Sequence, residues 1–406
     1  MKKNNISKFD HCYGCGVCVA ACPVKIISFP QNSDGFYSPH IEHQDKCIEC
    51  GLCLKVCAFN HADIAGPSNT DSKSYAAHSN DDNIRLRCSS GGIGYEIGKL
   101  LLDSGYQACG VRYSPKLRRA EHFIATTSEE FQQTVGSKYI PSFSSDAFSF
   151  INKNRKEKTY VTGTPCQIDS FRRLIRHFKV EDNFVLMDFF CHGVPSLLLW
   201  DKYLSEVEAK VGEATFVSWR NKTTGWQDSW AMCVDCSEED LDWHNSYNLS
   251  VSEKKHLYQS RMTEGDLFFR FFLGNYCLNK CCYKNCKYKL LNSAADIRIG
   301  DLWGKTYAHE NKGTSSVISF TKKGDEIISR LSSTTCSFEE VPNTVAIEGQ
   351  MAKAANSPWV KSFIFDGLRS DKPLKDIAEW CRIYQFSIIP KRAINKFIRI
   401  VNQKTR

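Results

Sequence analysis

No stretch of the 406-residue sequence approaches 18 uninterrupted apolar residues, which excludes a membrane-spanning helix of ordinary length. No apolar run follows the two N-terminal lysines of MKKNNISKFDHCYGCG, so this segment is not expected to be a secretory leader. Low-complexity tracts are missing too. With 42% hydrophobic and 24% charged residues and only 12 prolines, the chain reads as globular, with room for two or three domains. The net charge of +8 is modest and its positives are scattered except at the end, so no nucleic-acid partner is expected. The expected location is the cytoplasm. There the 20 cysteines call for metal or redox chemistry rather than disulfides.

Eight of those cysteines lie in two runs, HCYGCGVCVAACP at 11–23 and KCIECGLCLKVCA at 46–58. Cys12 and Cys47, Cys15 and Cys50, Cys18 and Cys53, and Cys22 and Cys57 are each 35 residues apart, which marks a duplicated unit. Two-residue gaps let three thiolates of one short loop reach three corners of a cubane, and Gly14, Gly16 and Gly51 let the backbone wrap closely. The fourth cysteine starts a helical turn and serves the other cluster in proteins of this pattern. One [4Fe–4S] cluster is therefore expected on Cys12, Cys15, Cys18 and Cys57, and another on Cys47, Cys50, Cys53 and Cys22. Zinc in paired C-x2-C sites is the alternative, and the 2-2-3 spacing with Pro23 favours iron and sulfur. Residues 9–62 resemble bacterial-type two-cluster ferredoxins, departing from them in Ala58, where proline is usual.

HADIAGPSNTDSKS at 61–74 is polar and rich in small residues, which suggests a boundary. Beyond it, Ser89, Ser90, Gly91 and Gly92 precede an apolar helix face of Ile93, Ile97, Leu100 and Leu101. Such a start either carries an ordinary serine cap with glycines in a turn or offers backbone N–H groups to a phosphate. Two strand-then-helix units follow, KTYVTGTPCQIDSFRRLIRHF and NFVLMDFFCHGVPSLLLWDKY, with Ser196 as the expected cap of the second helix. They suggest parallel strands whose carboxyl ends carry Cys166 and Cys191. Thiolates there are stabilised by the helix field, although a single cysteine at such a place is more often a small buried hydrophobe. Cys277, Cys281, Cys282 and Cys286 crowd into ten residues, too tightly for one site of their own. A third [4Fe–4S] site joining Cys282 and Cys286 to Cys166 and Cys191 is expected, with zinc as the runner-up.

Six ordered stretches, SSGGIGYEIGKLL, TVGSKYIPS, VTGTPCQID, FFCHGVPSLLLW, SWRNKTTGW and ADIRIGDLWG, resemble the β-subunit family of deazaflavin (coenzyme F-420) hydrogenases and dehydrogenases. The resemblance implies a flavin, FAD or FMN, beside the clusters. Ser89, Ser90, Gly91 and Gly92 would then meet the flavin diphosphate. Gly136, Ser137, Lys138 and Tyr139 would form a second flavin loop, with Lys138 near a phosphate or the reduced ring, and Gly163, Thr164 and Pro165 would approach as backbone. Family members commonly carry C-x2-C before the DIxIGD strand, whereas Cys282 and Cys286 are three residues apart, so Cys277 or Cys281 could replace Cys282.

The expected architecture is an α+β two-cluster ferredoxin-like domain over 1–62, a linker over 63–75, and an α/β flavin- and iron–sulfur-binding body with a mixed or parallel sheet over 76–335. A helical region with a basic amphipathic tail is expected over 336–406. The expected function is an iron–sulfur flavoprotein oxidoreductase passing electrons between a small carrier protein, or a deazaflavin or flavin coenzyme, and a small-molecule substrate. The alternative is an electron-transfer subunit of a larger redox complex with no substrate chemistry of its own; a homo-oligomer is also compatible. His192 is the motif-based candidate proton donor, against a structural role in hydrogen-bonding the cluster loop. In the tail, Ile394, Phe397, Ile398 and Val401 recur at helical spacing among six basic residues. The expectation there is an apolar face docked on the core, rather than on a partner or a membrane surface. CVDC at 233–236 reads as two incidental strand thiols, and GTSSVISFTKKGDEIISRL as a strand followed by a helix.

Overall fold

The computed structural model describes residues 4–67, 71–236, 257–283 and 286–404, with side chains described as far as residue 389. Nine strands form one mixed sheet in the spatial order Cys336–Glu340, Lys73–Ser79, Ser315–Ser319, Ile297–Asp301, Phe184–Phe189, Thr159–Thr162, Gln107–Ser114, Arg119–Ala125, Ser142–Phe143. The four strands from Ile297–Asp301 to Gln107–Ser114 run parallel. Antiparallel strands extend them on both sides. A strand covered on both faces reads as a continuous apolar run, and FVLMD of Phe184–Phe189 is buried throughout. Helix Pro165–His177 makes the crossover between Thr159–Thr162 and Phe184–Phe189 and buries Ile168, Phe171, Leu174 and Ile175. Its start is fixed by Pro165 and by a reciprocal cap between Thr164 and Gln167. Strand Ser315–Ser319 and helix Lys322–Ser332 follow the reading of GTSSVISFTKKGDEIISRL, and Ser196 caps helix Leu197–Val211 as expected. The sheet takes outer strands from 73–79 and 336–340, on either side of the 76–335 span.

Arg298 and Asp188 face each other in register on neighbouring parallel strands, fully buried, and form a two-pronged ion pair at 2.7 Å. The remaining guanidinium donors go to the carbonyls of Leu290 and Asn292, so this pair ties the segment after Cys286 to the sheet. A separate three-stranded sheet joins Phe216–Ser218, Ala231–Asp235 and Leu257–Arg261. Cys233 is buried on its middle strand, and the polar run from 237 to 256 lies outside the described residues.

The N-terminal unit has two short helices, Val17–Ala21 and Leu52–Lys55, each entered through a left-handed glycine, Gly16 at φ 75° and Gly51 at φ 69°. The duplication persists where the residue type does not: Gly14 at φ 67° has Glu49 at φ 50° as its counterpart. This unit shares a core with the body, because Val17, Ala20, Ala21 and Val56 pack with Phe148, Phe171 and Leu174. Asp169, wholly buried on helix Pro165–His177, accepts from Ala65 N–H at 2.9 Å, Tyr288 Oη at 2.7 Å and Arg173 Nε at 3.1 Å. Lys287 donates to the carbonyls of Ala58, His61 and Asp63, locking the same junction.

Candidate functional site

Cys12, Cys15, Cys18 and Cys57 line one pocket, and Cys22, Cys47, Cys50 and Cys53 line a second. The fourth cysteine of each run thus borders the other run's pocket. Cys22 is the C-cap of helix Val17–Ala21, where the chain has already left the first loop. Burial, then the neighbouring Cys15, Cys12 and Cys57, push the Cys18 thiol well above its ordinary value. Burial and Cys15 raise Cys57 to about 12. Burial raises Cys53, with Cys50 and Cys22 adding to it. Thiols that raise one another in this way form a donor set that a cationic iron–sulfur core holds as thiolates. The buried Nδ1 of His11 in the first pocket has no hydrogen-bond partner among the described residues. No three His, Cys, Asp or Glu side chains among the described residues could hold a single metal ion; the thiols border cavities instead. The residues present fit two clusters.

In the body, Cys166 sits in the first turn of helix Pro165–His177 and is raised by burial, with Cys15, Cys191 and Cys282 adding to it. Burial raises Cys191 to about 11 against Lys289, with Cys286 adding, and burial raises Cys282 with Cys191 and Cys286 adding. Cys166, Cys191 and Cys282 are thus within electrostatic reach of one another, as are Cys191, Cys282 and Cys286, and the loop after Cys191 packs through Gly193 against Cys282. Cys277 lies in the hydrophobic core and its thiol is raised by burial to about 12, with no effect from that group. Cys281 is within electrostatic reach of Cys57 and Cys286, so it stands between the first pocket and the body group.

One helical turn connects these two groups. Ser170, four residues after Cys166, lies 3.3 Å from Cys15 Sγ and accepts from Ala58 N–H at 3.1 Å. Tyr13 of the first pocket is held protonated by burial, with Cys166, Cys286 and Cys281 adding to it. Polar side chains also touch the other groups: Asn5 Nδ2 donates to Cys47 Sγ at 3.4 Å, and Thr164 Oγ1 is 3.2 Å from Cys166 Sγ.

The loops at 89–92 and 136–139 meet. Ser137 N–H and Oγ both donate to Ser89 Oγ, at 2.9 and 3.1 Å. Gly91 N–H is bonded to Ser315 Oγ at 3.0 Å, and a Cβ at Gly91 would stand 2.4 Å from the Ala77 carbonyl, so close packing accounts for that glycine. Gly92 at φ 88°, not a serine, caps helix Ile93–Asp103. Lys138 is half-buried and its ammonium turns back onto the carbonyls of Gln133, Thr134 and Val135, with desolvation lowering it to about 7. Tyr139 stacks on Trp230 and receives a hydrogen bond from Arg220, which also pairs with Asp301 at 3.0 Å. Lys222 donates to the carbonyls of Arg85, Ser90 and Lys312. Gly163, Thr164 and Pro165 cap the helix that carries Cys166. His192 is held neutral, lowered by burial to about 4, bonds Asn275 Oδ1 at 2.8 Å and packs on Phe272.

Residues 74–148 match the N-terminal part, and residues 156–343 the C-terminal part, of the coenzyme F420 hydrogenase/dehydrogenase beta subunit, with a 4Fe-4S dicluster domain matched at 11–61. The chain belongs to the coenzyme F420 hydrogenase/dehydrogenase beta-subunit family. The F420 hydrogenase subunit beta of Methanococcus voltae is 33% identical over 72 residues, 17% of this chain and 26% of that protein. The alignment therefore spans about a quarter of that relative. A chain of the F420-reducing [NiFe] hydrogenase complex from Methanosarcina barkeri is similar at 18% identity with a TM-score of 0.46, covering 68% of this chain and 87% of that one. Ser170, Asp169, Asn5 and Arg298 are the residues that sequence patterns did not single out. The i, i+4 spacing of Cys166 and Ser170 on a helix was the available signal.

Proposed function

We propose that the chain is the electron-transfer subunit of a larger redox complex. Cys22, Cys47, Cys50 and Cys53 hold an outer [4Fe–4S] cluster, Cys12, Cys15, Cys18 and Cys57 an inner one, and Cys166, Cys191, Cys282 and Cys286 a third. When bound, such clusters pass single electrons. The observation that carries the proposal is the contact of Ser170 with Cys15, one turn beyond Cys166, which sets the N-terminal unit against the helix that carries Cys166. Cys50 is exposed, so a small carrier protein would exchange electrons at the outer end. The Methanococcus voltae relative is by name a coenzyme F420 hydrogenase subunit, which supports a deazaflavin coenzyme as the carrier at the other end. Cys166→Ser tests this: anaerobically reduced protein should lose one cluster signal and about four irons while the N-terminal pair persists. An unchanged iron content would refute the third site.

Flavin, FAD or FMN, at the junction of the 89–92 and 136–139 loops is a second proposal, favoured by the Ser89–Ser137 contact and by the buried Arg220 and Lys222 beside it. A bound flavin would convert single electrons into a hydride equivalent for a small-molecule substrate. Flavin released on denaturation, measured by fluorescence, tests this; protein that carries its iron but releases no flavin would refute it and leave the electron-transfer role standing.

A further inference from the structure

Helix Leu374–Lys404 uses two faces in succession. Leu374, Ile377, Ala378 and Cys381 are buried against the body, and Tyr384 continues that stripe, packed edge-on to Tyr276. From there the apolar residues turn outward: Ile383 is 44% exposed, Phe386 64% and Ile389 51%. Beside them, Trp359 is 52% exposed with its indole N–H on Ser387 Oγ, and Phe363, 44% exposed, stacks on Trp380 at 4.4 Å. Trp359, Phe363 and Trp380 thus form an aromatic cluster between helices Lys361–Arg369 and Leu374–Lys404, and Ile383, Phe386 and Ile389 are exposed along the same part of the second helix. The first turns of this helix dock on the body, up to Tyr384 and the half-buried Ile388. The side chains of Ile394, Phe397, Ile398 and Val401 lie outside the described residues.

Charge identifies what covers this patch. After Glu379 the sequence contains no Asp or Glu, while Arg382, Lys391, Arg392, Lys396, Arg399 and Lys404 follow on the same helix. An exposed apolar and aromatic face continued by an acid-free basic helix suits the boundary between acyl chains and anionic headgroups. No helix among the described residues is long and apolar enough to cross a membrane, so such a helix would lie in the plane of the surface. We propose that the C-terminal helices dock this protein on an anionic lipid surface.

The test is co-sedimentation of the full, cluster-loaded chain with vesicles of phosphatidylcholine alone or with about one-third phosphatidylglycerol. Binding is expected only to the anionic vesicles, and it should weaken as salt rises. Phe386→Ser with Ile389→Ser should weaken it about tenfold through lost apolar burial. Lys391→Gln, Arg392→Gln, Lys396→Gln and Arg399→Gln together should weaken it about a hundredfold or more. Unchanged iron content in both variants would show that they fold. Failure to bind anionic vesicles, or equal binding to neutral ones, would overturn the proposal. So would a solution mass of two chains that reverts to one on Phe386→Ser with Ile389→Ser, which would make the face a contact between copies.

Discussion

Replacing Ser170 with alanine removes one hydroxyl that touches two parts of the inner pocket: it lies 3.3 Å from Cys15 Sγ and accepts from the N–H of Ala58, the residue after Cys57. With Cys15 as a thiolate ligand, the hydroxyl donates to sulfur, and such bonds favour the more negative, reduced cluster. A hydrogen bond to a charged group contributes roughly 1.5–3 kcal/mol, and only the difference between the two oxidation states moves the potential. Taking that difference as about 1 kcal/mol, and about 59 mV per tenfold change for one electron, the inner cluster's midpoint should fall by about 40 mV. Ser170→Thr, which keeps the hydroxyl, should restore most of it. The assay is a redox titration followed by electron paramagnetic resonance. An inner midpoint unchanged in Ser170→Ala, with all clusters assembled, would refute the reasoning.

Cys22→Ser should abolish the cluster of the second run and spare that of its own run, because Cys22 borders the pocket of Cys47, Cys50 and Cys53; loss of the Cys12 cluster would contradict the crossed arrangement. Glu49→Gly should stabilise the chain by about 0.5 kcal/mol, the relief of a left-handed side chain less the added freedom of the unfolded glycine, seen as a slightly higher Tm. Burial lowers His122 to about 4, with its ring on the Thr162 carbonyl. A histidine with a lowered folded value stabilises fully above its unfolded value near 6.5, and that contribution is lost as pH falls toward 4. Its share is about 3 kcal/mol, so urea midpoints of His122→Phe should fall less steeply across that window than those of the parent chain. Equal slopes would refute this assignment.

The cysteine runs were legible because their spacing is local: two- and three-residue gaps fix which thiols share a loop, and the 35-residue repeat marks the duplicated unit. The buried strand at Phe184–Phe189 was equally plain, since burial on both faces leaves no polar alternation to blur it. Pairings between distant segments were not legible. Nothing local in Lys73–Ser79 or Cys336–Glu340 says that they pair antiparallel with each other at the outer side of Ser315–Ser319, and nothing in Arg298 announces its partner Asp188 on another strand. Nor does anything local in GSKY show that the ammonium of Lys138 folds back onto three carbonyls of its own segment, which its four methylenes allow.

The measurement that most directly tests three clusters on one chain is the iron, acid-labile sulfide, zinc and flavin content of protein purified without oxygen. About twelve irons and twelve sulfides per chain are predicted from the two pockets and the body group. About eight irons would contradict the third site, and zinc in place of iron would contradict the electron-transfer role altogether.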